Sequence, residues 1–188
     1  QRAGADAVVA EGAEAGGHIG ELHTMPLIPQ IVDAVDIPVV AAGGIADGRG
    51  AAAAFMLGAE GVQVGTRFLV ADECRVHSEY KDKVLKATDI STTVTGKVSG
   101  HPVRSLKSPF TREFSRMEND PQTNPNDILA FGSGSLRKAV EEGAEFGSYM
   151  AGESAGLVHK AESARAIVED IILGAERVIR NFTANNLE

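Results

Sequence analysis

Three short apolar runs, each ending in glycine, constrain this sequence more than any other feature. The first run leads into EGAEAGGHIG (Glu11 to Gly20), and the other two lie in IPVVAAGGIADG (Ile37 to Gly48) and GVQVGTRF (Gly61 to Phe68). Short apolar runs are typical of strands that are buried on both faces of a parallel sheet. The carboxyl ends of parallel strands meet at one edge, so we expect the three glycine loops to lie together. Glycine at such an edge lets a large polar group approach the backbone, and phosphate is the usual one.

Helical patterns separate the predicted strands. The sequence predicts one helix at Pro26–Val35, where apolar residues recur at helical spacing, and another at Ala51–Leu57, with Asp47 as its N-cap. Alternation of strand and helix is the βα unit of a parallel sheet, so the predicted fold class is α/β. A whole (β/α)8 TIM barrel takes about 250 residues, so we expect the C-terminal units of such a barrel, from a longer protein. The predicted strands are Asp6–Ala10, Ile37–Ala42 and Gly61–Val64.

The character of the sequence changes near Cys74. Residues 1–73 carry the βα units, and residues 74–146 are more charged and predict a small α+β cap or insertion domain. Residues 147–188 return to small residues and then to a long helix, in which an apolar stripe runs from Ala164 to Phe182. The elements predicted inside the cap are a helix at Tyr80–Ala87, a run rich in Thr and Val at Thr92–Ser99 and a polar turn at Asn119–Asp127.

The composition excludes several classes of partner. Acidic residues number 26 against 18 basic ones, and the basic residues are scattered, so no nucleic-acid surface is predicted. Cys74 is the only cysteine, which excludes an internal disulfide and suits a reducing compartment. No apolar run approaches the roughly 20 residues of a membrane helix. We therefore expect a cytoplasmic protein without a nucleic-acid or membrane partner.

Two of the glycine loops are candidates for binding an anion. Gly43 and Gly44 precede a helix start and offer backbone N–H groups together with the positive end of a helix dipole. Gly65 and Thr66 offer two further amides and a hydroxyl. In a TIM barrel the loops after the last two strands form a phosphate site, and these two loops are successive. The alternative is that all four residues only form tight turns.

His18 is the candidate general acid or base. Its neighbours Gly17 and Gly20 have no side chains to bury the imidazole, so we expect it to project into a cleft; the alternative is a structural histidine. Glu11, at the end of a strand, is predicted to bind a ribityl or ribose hydroxyl or to pair with a base. His101 belongs to a loop or faces the cleft from the cap. One carboxylate and one histidine are too few for a closed metal site, so no metal is predicted.

With these residues in view, the chain resembles the flavin-dependent enoyl-acyl carrier protein reductases and, beyond them, the nitronate monooxygenases once called 2-nitropropane dioxygenases. The first three of the matching segments are shared with both branches, and the last two are more similar to the reductases. The segments, in order, are EAGGHIG, IPVVAAGGIADG, GAEGVQVGTRF, GHPVRSLKSPFTREF and GSYMAGESAGLV.

The resemblance implies a TIM barrel that binds FMN, with a smaller domain over the active site. It implies that His18 is the catalytic histidine and that the FMN phosphate is held by Gly43, Gly44, Gly65 and Thr66. The other residues implied to lie near the flavin are Glu11, Gly17, Gln63 and Met150.

The implied reaction belongs to fatty acid biosynthesis. NADH or NADPH would reduce the flavin, and hydride would pass to the β-carbon of an enoyl thioester on acyl carrier protein while His18 handles the proton. In the monooxygenase alternative His18 abstracts the proton beside a nitro group, and oxygen reacts with the flavin. A third alternative is a phosphate-binding barrel, such as a synthase or an epimerase, without flavin. A homodimer is expected.

Overall fold

The computed structural model describes residues 1–97 and 100–186, which form two three-stranded sheets with helices packed around them. In chain order the elements are β1 (Val8–Glu11), β2 (Gly17–His18), α1 (Thr24–Ala34), β3 (Val39–Ala42), α2 (Gly48–Met56), β4 (Gly61–Gln63), a 3-10 turn (Thr66–Val70), α3 (Ser78–Leu85), β5 (Thr92–Thr95), β6 (Val103–Leu106), α4 (Pro109–Asn119), α5 (Pro125–Gly132), α6 (Ser135–Arg137) with a π-helical turn (Lys138–Glu142), a second 3-10 turn (Glu153–Leu157) and α7 (Ala164–Asn186).

The first sheet is parallel, with strand order β1-β3-β4, and it confirms the three strands predicted from the sequence. The register places Glu11, Ala42 and Gln63 in one row at the carboxyl end of the sheet. Connecting helices α1 and α2 follow β1 and β3, as the alternation predicts. The core beneath the sheet is built from small and branched apolar residues, among which Ile28 of α1 and Ala41 of β3 have no exposed surface.

Helix α7 packs along α2, although the two helices are more than 100 residues apart in the sequence. The two helices approach so closely that a Cβ on Gly48 would stand 2.2 Å from the backbone carbon of Gly174. Ile167, Ile171 and Ala175 are buried in this contact. The long helix predicted from the sequence is therefore the helix that follows β4 in the βα order. Residues 74–146, here called the excursion, lie between β4 and this helix in the sequence.

The predicted apolar stripe of α7 is only partly buried. Val168 is 51% exposed and Val178 is 39% exposed, although both belong to the apolar stripe. They lie on either side of the buried residues Ile167, Ile171 and Ala175. A single neighbouring helix covers only part of an apolar stripe that is this wide. The apolar stripe of α7 is therefore wider than the surface that α2 covers.

The parallel sheet is open. Among the described residues, β1 is paired on one side only, by β3, and Val9 of β1 is 48% exposed. The architecture is therefore α/β, and the TIM barrel expected from the sequence is not closed within the described residues. In the same part of the chain no helix is both long enough and apolar enough to cross a membrane.

The second sheet is antiparallel, with strand order β2-β6-β5. Its first strand comes from the loop that follows β1, because Gly17 and His18 pair with Arg104 and Val103 of β6. The antiparallel sheet thus takes a strand from residues 1–73 as well as two from residues 74–146. The sequence analysis placed the whole glycine loop at the edge of the parallel sheet; a two-residue strand has no periodicity that could have revealed this pairing.

The excursion contains more helix than the sequence analysis predicted. The helix predicted at Tyr80–Ala87 is α3, which begins and ends two residues earlier, and the polar turn predicted at Asn119–Asp127 is shortened by the first turn of α5. Helix α4 was not predicted, although Ser108 and Thr111 cap it reciprocally. The predicted run at Thr92–Ser99 forms β5 as far as Thr95, and its residues 98 and 99 lie outside the described residues.

We predict that Asp47→Ala lowers the free energy of unfolding by about 1 kcal/mol, because the Asp47 carboxylate caps α2 by accepting from the backbone N–H groups of Arg49 and Gly50. The side-chain hydrogen bond from Arg49 holds the pKa of Asp47 below its ordinary value of 3.8. The stabilisation is therefore fully present above that value and lost as the pH falls below it. Urea unfolding of both proteins at neutral and acid pH measures this difference.

Asp47→Asn is the matched control, because an asparagine side chain can still cap the helix. It should retain most of the stability at neutral pH. A loss as large as that of Asp47→Ala would contradict the capping role.

Candidate functional site

The carboxyl edge of the parallel sheet opens into a cleft of about 290 Å³, here called the strand-edge cavity. It collects residues from all three strand ends and from a segment that follows much later in the chain. The lining residues are Glu11, Ala15, Gly16, Ala42, Gly43, Gly44, Ile45, Gln63, Gly65, Thr66, Leu69, Met150 and Ser154. Seven of the residues singled out in the sequence are therefore brought together here: Glu11, Gly43, Gly44, Gln63, Gly65, Thr66 and Met150.

Backbone N–H groups are the main polar donors of the strand-edge cavity. Among the described residues, the N–H groups of Gly43, Gly44 and Gly65 donate to no protein acceptor. Gly43 and Gly44 have φ angles of +91° and +73°, a conformation that residues with a Cβ rarely adopt. Buried or half-buried N–H groups are normally paired. A set of unpaired donors around one cleft is therefore suited to an anion.

The N-terminus of α2 does not contribute to this cavity, contrary to the sequence prediction. The carboxylate of Asp47 already accepts hydrogen bonds from the first turn of the helix, and the Arg49 side chain binds the same carboxylate at 2.6 Å and 3.0 Å. These groups face a different surface, formed with α7. The positive end of the helix dipole is thus neutralised by an aspartate of the chain itself.

Thr66 adds a hydroxyl to the set of donors. Its Oγ1 accepts a hydrogen bond of 2.9 Å from the backbone N–H of Gly152, and the residue is only 8% exposed. That bond occupies an acceptor site on the oxygen and leaves the hydroxyl proton available to a ligand. It also ties the loop after β4 to the segment that carries Met150 and Ser154.

Glu11 and Gln63 flank the floor of the cavity. They occupy the same register row on either side of Ala42, which is 1% exposed. Neighbouring strands lie about 4.8 Å apart, so the two side chains start from backbone positions about 10 Å apart. Both residues are exposed, and the small side chain of Ala42 leaves a slot between them.

His18 lies in a second cleft of about 330 Å³, here called the histidine cavity. Among the described residues, its lining has six polar and six apolar side chains, and one of the apolar ones, Met150, also lines the strand-edge cavity. The imidazole is therefore adjacent to the candidate anion site and not inside it. The lining residues are His18, Thr95, Gly96, His101, Val103, Phe110, Phe114, Ile128, Leu129, Gly132, Ser133, Ser135, Ser148 and Met150.

Two sequence predictions need correction or extension here. Gly17 lines neither cavity, whereas its neighbour Gly16 lines the strand-edge cavity. Gly17 is the first residue of β2 and pairs with Arg104, and a Cβ placed on it would stand 3.7 Å from the sulfur of Met150, which lines both cavities. His101, which the sequence places either in a loop or at the cleft, lines the histidine cavity, as His18 does.

Met150 is held in place by a buried tyrosine that the sequence analysis did not single out. The Tyr80 hydroxyl donates a hydrogen bond of 2.6 Å to the Met150 carbonyl oxygen. Tyr80 is 2% exposed and its ring meets that of Tyr149 edge-on, with the ring centroids 5.0 Å apart. Burial raises the pKa of the Tyr80 hydroxyl, so it remains a protonated donor. No local signal could have indicated this bond, because its partners are far apart in sequence.

No group of three or more His, Cys, Asp or Glu residues that could hold a metal ion occurs in the part of the chain that the structure describes. The strand-edge cavity is also without lysine or arginine in its lining. Its capacity to bind an anion thus rests on backbone donors and the Thr66 hydroxyl.

We predict that two alanine substitutions in the same cavity differ in their effect on stability. Gly43→Ala should cost about 1 to 3 kcal/mol, because Gly43 has a positive φ and the new Cβ would stand 2.7 Å from the Gly12 carbonyl oxygen. Gly65→Ala should stay within about 0.5 kcal/mol, because its φ is −104° and no atom lies within 4 Å of the new Cβ. Denaturant unfolding of both variants measures the contrast, and equal losses would contradict this account of the loops.

Comparison with known proteins places this geometry in context. Residues 1–174 match the family model described as nitronate monooxygenase. A probable nitronate monooxygenase of Staphylococcus saprophyticus is 37% identical in an alignment 194 positions long, which covers 95% of this chain and 53% of that protein. The chain spans about half the length of the curated relatives it matches.

Two solved structures are similar over nearly the whole chain. FabK from Thermotoga maritima is 49% identical with a TM-score of 0.93, covering 97% of this chain and 58% of that one. The nitroalkane oxidase of Streptomyces ansochromogenes is 33% identical with a TM-score of 0.80, covering 96% of this chain and 55% of that one.

Proposed function

We propose that this chain, which belongs to the nitronate monooxygenase family, forms the FMN site and the catalytic histidine of a flavin-dependent oxidoreductase with a TIM-barrel fold. The observation that carries the proposal is the strand-edge cavity with its unpaired N–H groups at Gly43, Gly44 and Gly65. Together with the Thr66 hydroxyl, these donors suit the doubly charged phosphate of FMN. When bound, FMN would supply the hydride chemistry that amino-acid side chains lack.

The remaining residues of the cavity fit the rest of the cofactor. The slot between Glu11 and Gln63, floored by Ala42, offers hydrogen-bonding side chains on both sides of a narrow space. Carboxylate and amide groups are suited to ribityl hydroxyls and to the polar edge of a flavin ring. Met150 presents a polarisable thioether at the boundary with the histidine cavity, where a flat aromatic group can pack against it.

The substrate we propose is an enoyl thioester on acyl carrier protein, reduced with NADH or NADPH in fatty acid biosynthesis. The histidine cavity supports this choice because Phe110, Phe114, Ile128 and Leu129 give it an apolar wall, which suits a hydrocarbon chain. The identity of 49% with FabK, an enoyl-acyl carrier protein reductase of this family, points the same way.

In this reaction a hydride adds to the β-carbon of the enoyl group and a proton to the α-carbon. His18 lines the cavity that would hold the thioester, so an imidazole nitrogen can deliver that proton or polarise the thioester carbonyl. We further propose that the protein acts in the cytoplasm as a homodimer.

The second candidate is a nitronate monooxygenase, with the same FMN site and oxygen as the co-substrate. It is favoured by the S. saprophyticus relative and by the similarity to the nitroalkane oxidase structure. His18 would then accept the proton from the carbon beside the nitro group, the reverse direction of transfer.

One purification and two assays separate these functions. The complete protein should carry FMN, visible in its absorbance spectrum, and should consume NADH or NADPH when a crotonyl thioester is added. Oxygen consumption with a nitroalkane or its anion and no reductase activity would favour the monooxygenase, and only the neutral nitroalkane requires His18 to accept a proton. A colourless protein that takes up no added FMN would exclude both and favour a phosphate-binding barrel without flavin.

We predict that Gly65→Val abolishes FMN binding while the protein remains folded. The backbone at Gly65 has an ordinary conformation and the space beside it is open, so the new side chain enters the strand-edge cavity without strain. It would occupy the approach of the phosphate to the N–H groups. Quenching of flavin fluorescence in a titration measures the affinity, and thermal unfolding without FMN checks the fold. Retained affinity would show that the phosphate lies elsewhere.

We predict that His18→Ala keeps FMN bound and lowers kcat by about 100-fold or more, the contribution expected of a positioned acid or base. FMN affinity should persist because the anion donors lie on other loops. The matched control is His159→Ala, since His159 is exposed and lines neither cavity. Steady-state kinetics of the FMN-loaded proteins test this prediction; an unchanged kcat in His18→Ala would return His18 to a structural role.

A further inference from the structure

Arg104 is a buried cation that lies behind both cavities and lines neither of them. It belongs to β6 and is only 8% exposed. Its Nε and Nη2 both donate to the carbonyl oxygen of Ala13, at 3.2 Å and 3.0 Å. Its Nη1 donates to Thr92 Oγ1 at 3.2 Å and pairs with Glu153 Oε1 at 3.0 Å. The planar guanidinium thus contacts three separate segments at once.

These contacts join the segments that form the walls of the two cavities. Ala13 lies in the loop that supplies Ala15 and Gly16 to the strand-edge cavity and ends in β2 with His18. Glu153 stands between Met150 and Ser154, which line the same cavity from the other side. The backbone N–H of Glu153 also donates to the Glu14 carbonyl oxygen at 2.9 Å.

The two segments meet backbone to backbone, so small shifts between them are transmitted directly. A Cβ on Gly16 would stand 2.5 Å from the carbonyl carbon of Ala151, and one on Gly152 would stand 2.6 Å from the carbonyl oxygen of Glu14. Because Gly16 and Gly152 have no side chains, the two backbone segments are in direct contact here. The guanidinium of Arg104 therefore contributes to holding the separation between the wall that carries Met150 and the loop that carries His18.

We propose that Arg104 is a positioning residue, which sets the location of the His18 imidazole relative to the bound cofactor by clamping Ala13 and Glu153. The inference rests on the proposed FMN site and is independent of whether the substrate is an enoyl thioester or a nitronate. Lysine at this position would keep the charge but lose the fork of donors that reaches Ala13, Thr92 and Glu153 together. Geometry, and not charge alone, is the property that Arg104→Lys removes.

The test is Arg104→Lys in the complete protein, with FMN affinity, the visible flavin spectrum, kcat and KM measured separately. We expect kcat to fall about 100-fold, the effect of a displacement of about 1 Å between reacting groups. We expect the FMN dissociation constant to rise about tenfold, and KM and the pH dependence of kcat to stay unchanged, because the imidazole is displaced but not removed.

Lys81→Met is the matched control, since the Lys81 ammonium donates to the Ala71 carbonyl oxygen at 2.6 Å and lines neither cavity. It should lower the melting temperature without changing kcat or FMN affinity. If Arg104→Lys behaves like this control, Arg104 is merely structural and the inference is overturned. Wild-type protein that binds no FMN would instead overturn the proposed function, and this inference with it, before any variant is compared.

Should Arg104→Lys fail to fold, Glu153→Gln examines the same clamp from its other side. Glutamine keeps an acceptor for Arg104 and the backbone bond to Glu14, and loses only the charge. We expect a smaller fall in kcat, about threefold to tenfold, with KM unchanged. Unchanged kcat, FMN affinity and flavin spectrum in this variant would overturn the inference.

Discussion

The contact between the loop after β1 and the backbone at residues 151–152 is the constraint on which both cavities depend. It brings a segment from late in the chain against the ends of the parallel strands, and it is possible only because Gly16 and Gly152 have no side chains. Among the described residues, four hydrogen bonds and an ion pair converge on it through Thr66, Glu153 and Arg104. Without this contact, Met150 and Ser154 would not reach the strand-edge cavity, and the two cavities would have no common wall.

The strand-edge cavity offers hydrogen-bond donors for an anion on an acidic chain, with no lysine or arginine among its described lining residues. The net charge is −8, and Glu11 is the only charged residue among those that line the cavity in the described chain. The donors at Gly43, Gly44 and Gly65 are fixed dipoles of the backbone, which need no side-chain ordering to act. Such a site discriminates by shape and by the direction of its donors, whereas a cluster of lysines would attract polyanions of many kinds.

Separating the cofactor site from the histidine has a chemical consequence. The proposed FMN site and the imidazole lie in adjoining cavities that share Met150, so a substrate in the histidine cavity can contact both. In the proposed function, the same arrangement would serve a proton donated to an enoyl thioester or a proton taken from a nitroalkane. The two branches of the family can therefore differ in the walls of the histidine cavity and keep one cofactor site. The apolar residues that α4 and α5 contribute to the histidine cavity are the observation on which the proposed acyl substrate rests.

The sequence by itself determined the features that depend on local pattern. Apolar runs ending in glycine predicted the three parallel strands, and their common edge brought Glu11, Gly43, Gly44, Gln63, Gly65 and Thr66 to one cavity, because parallel strands end on the same side of a sheet. Asp47 was predicted as the cap of α2, and it is, but the same carboxylate closes that helix end to a ligand. Capping and anion binding use the same N–H groups. The sequence pattern alone does not say whether Asp47 or a ligand occupies them.

Only the tertiary structure decided what depends on contacts between distant residues. It placed His18 on a two-residue strand of the antiparallel sheet, in a cavity beside the anion site, and it showed that Gly17 is engaged in that strand. It also revealed the roles of Tyr80 and Arg104, whose hydrogen bonds reach Met150 and Ala13 across 70 and 91 positions of the chain. Strand pairing and buried polar bonds of this kind leave no periodicity in the sequence, since they depend on which surfaces the folded chain brings together.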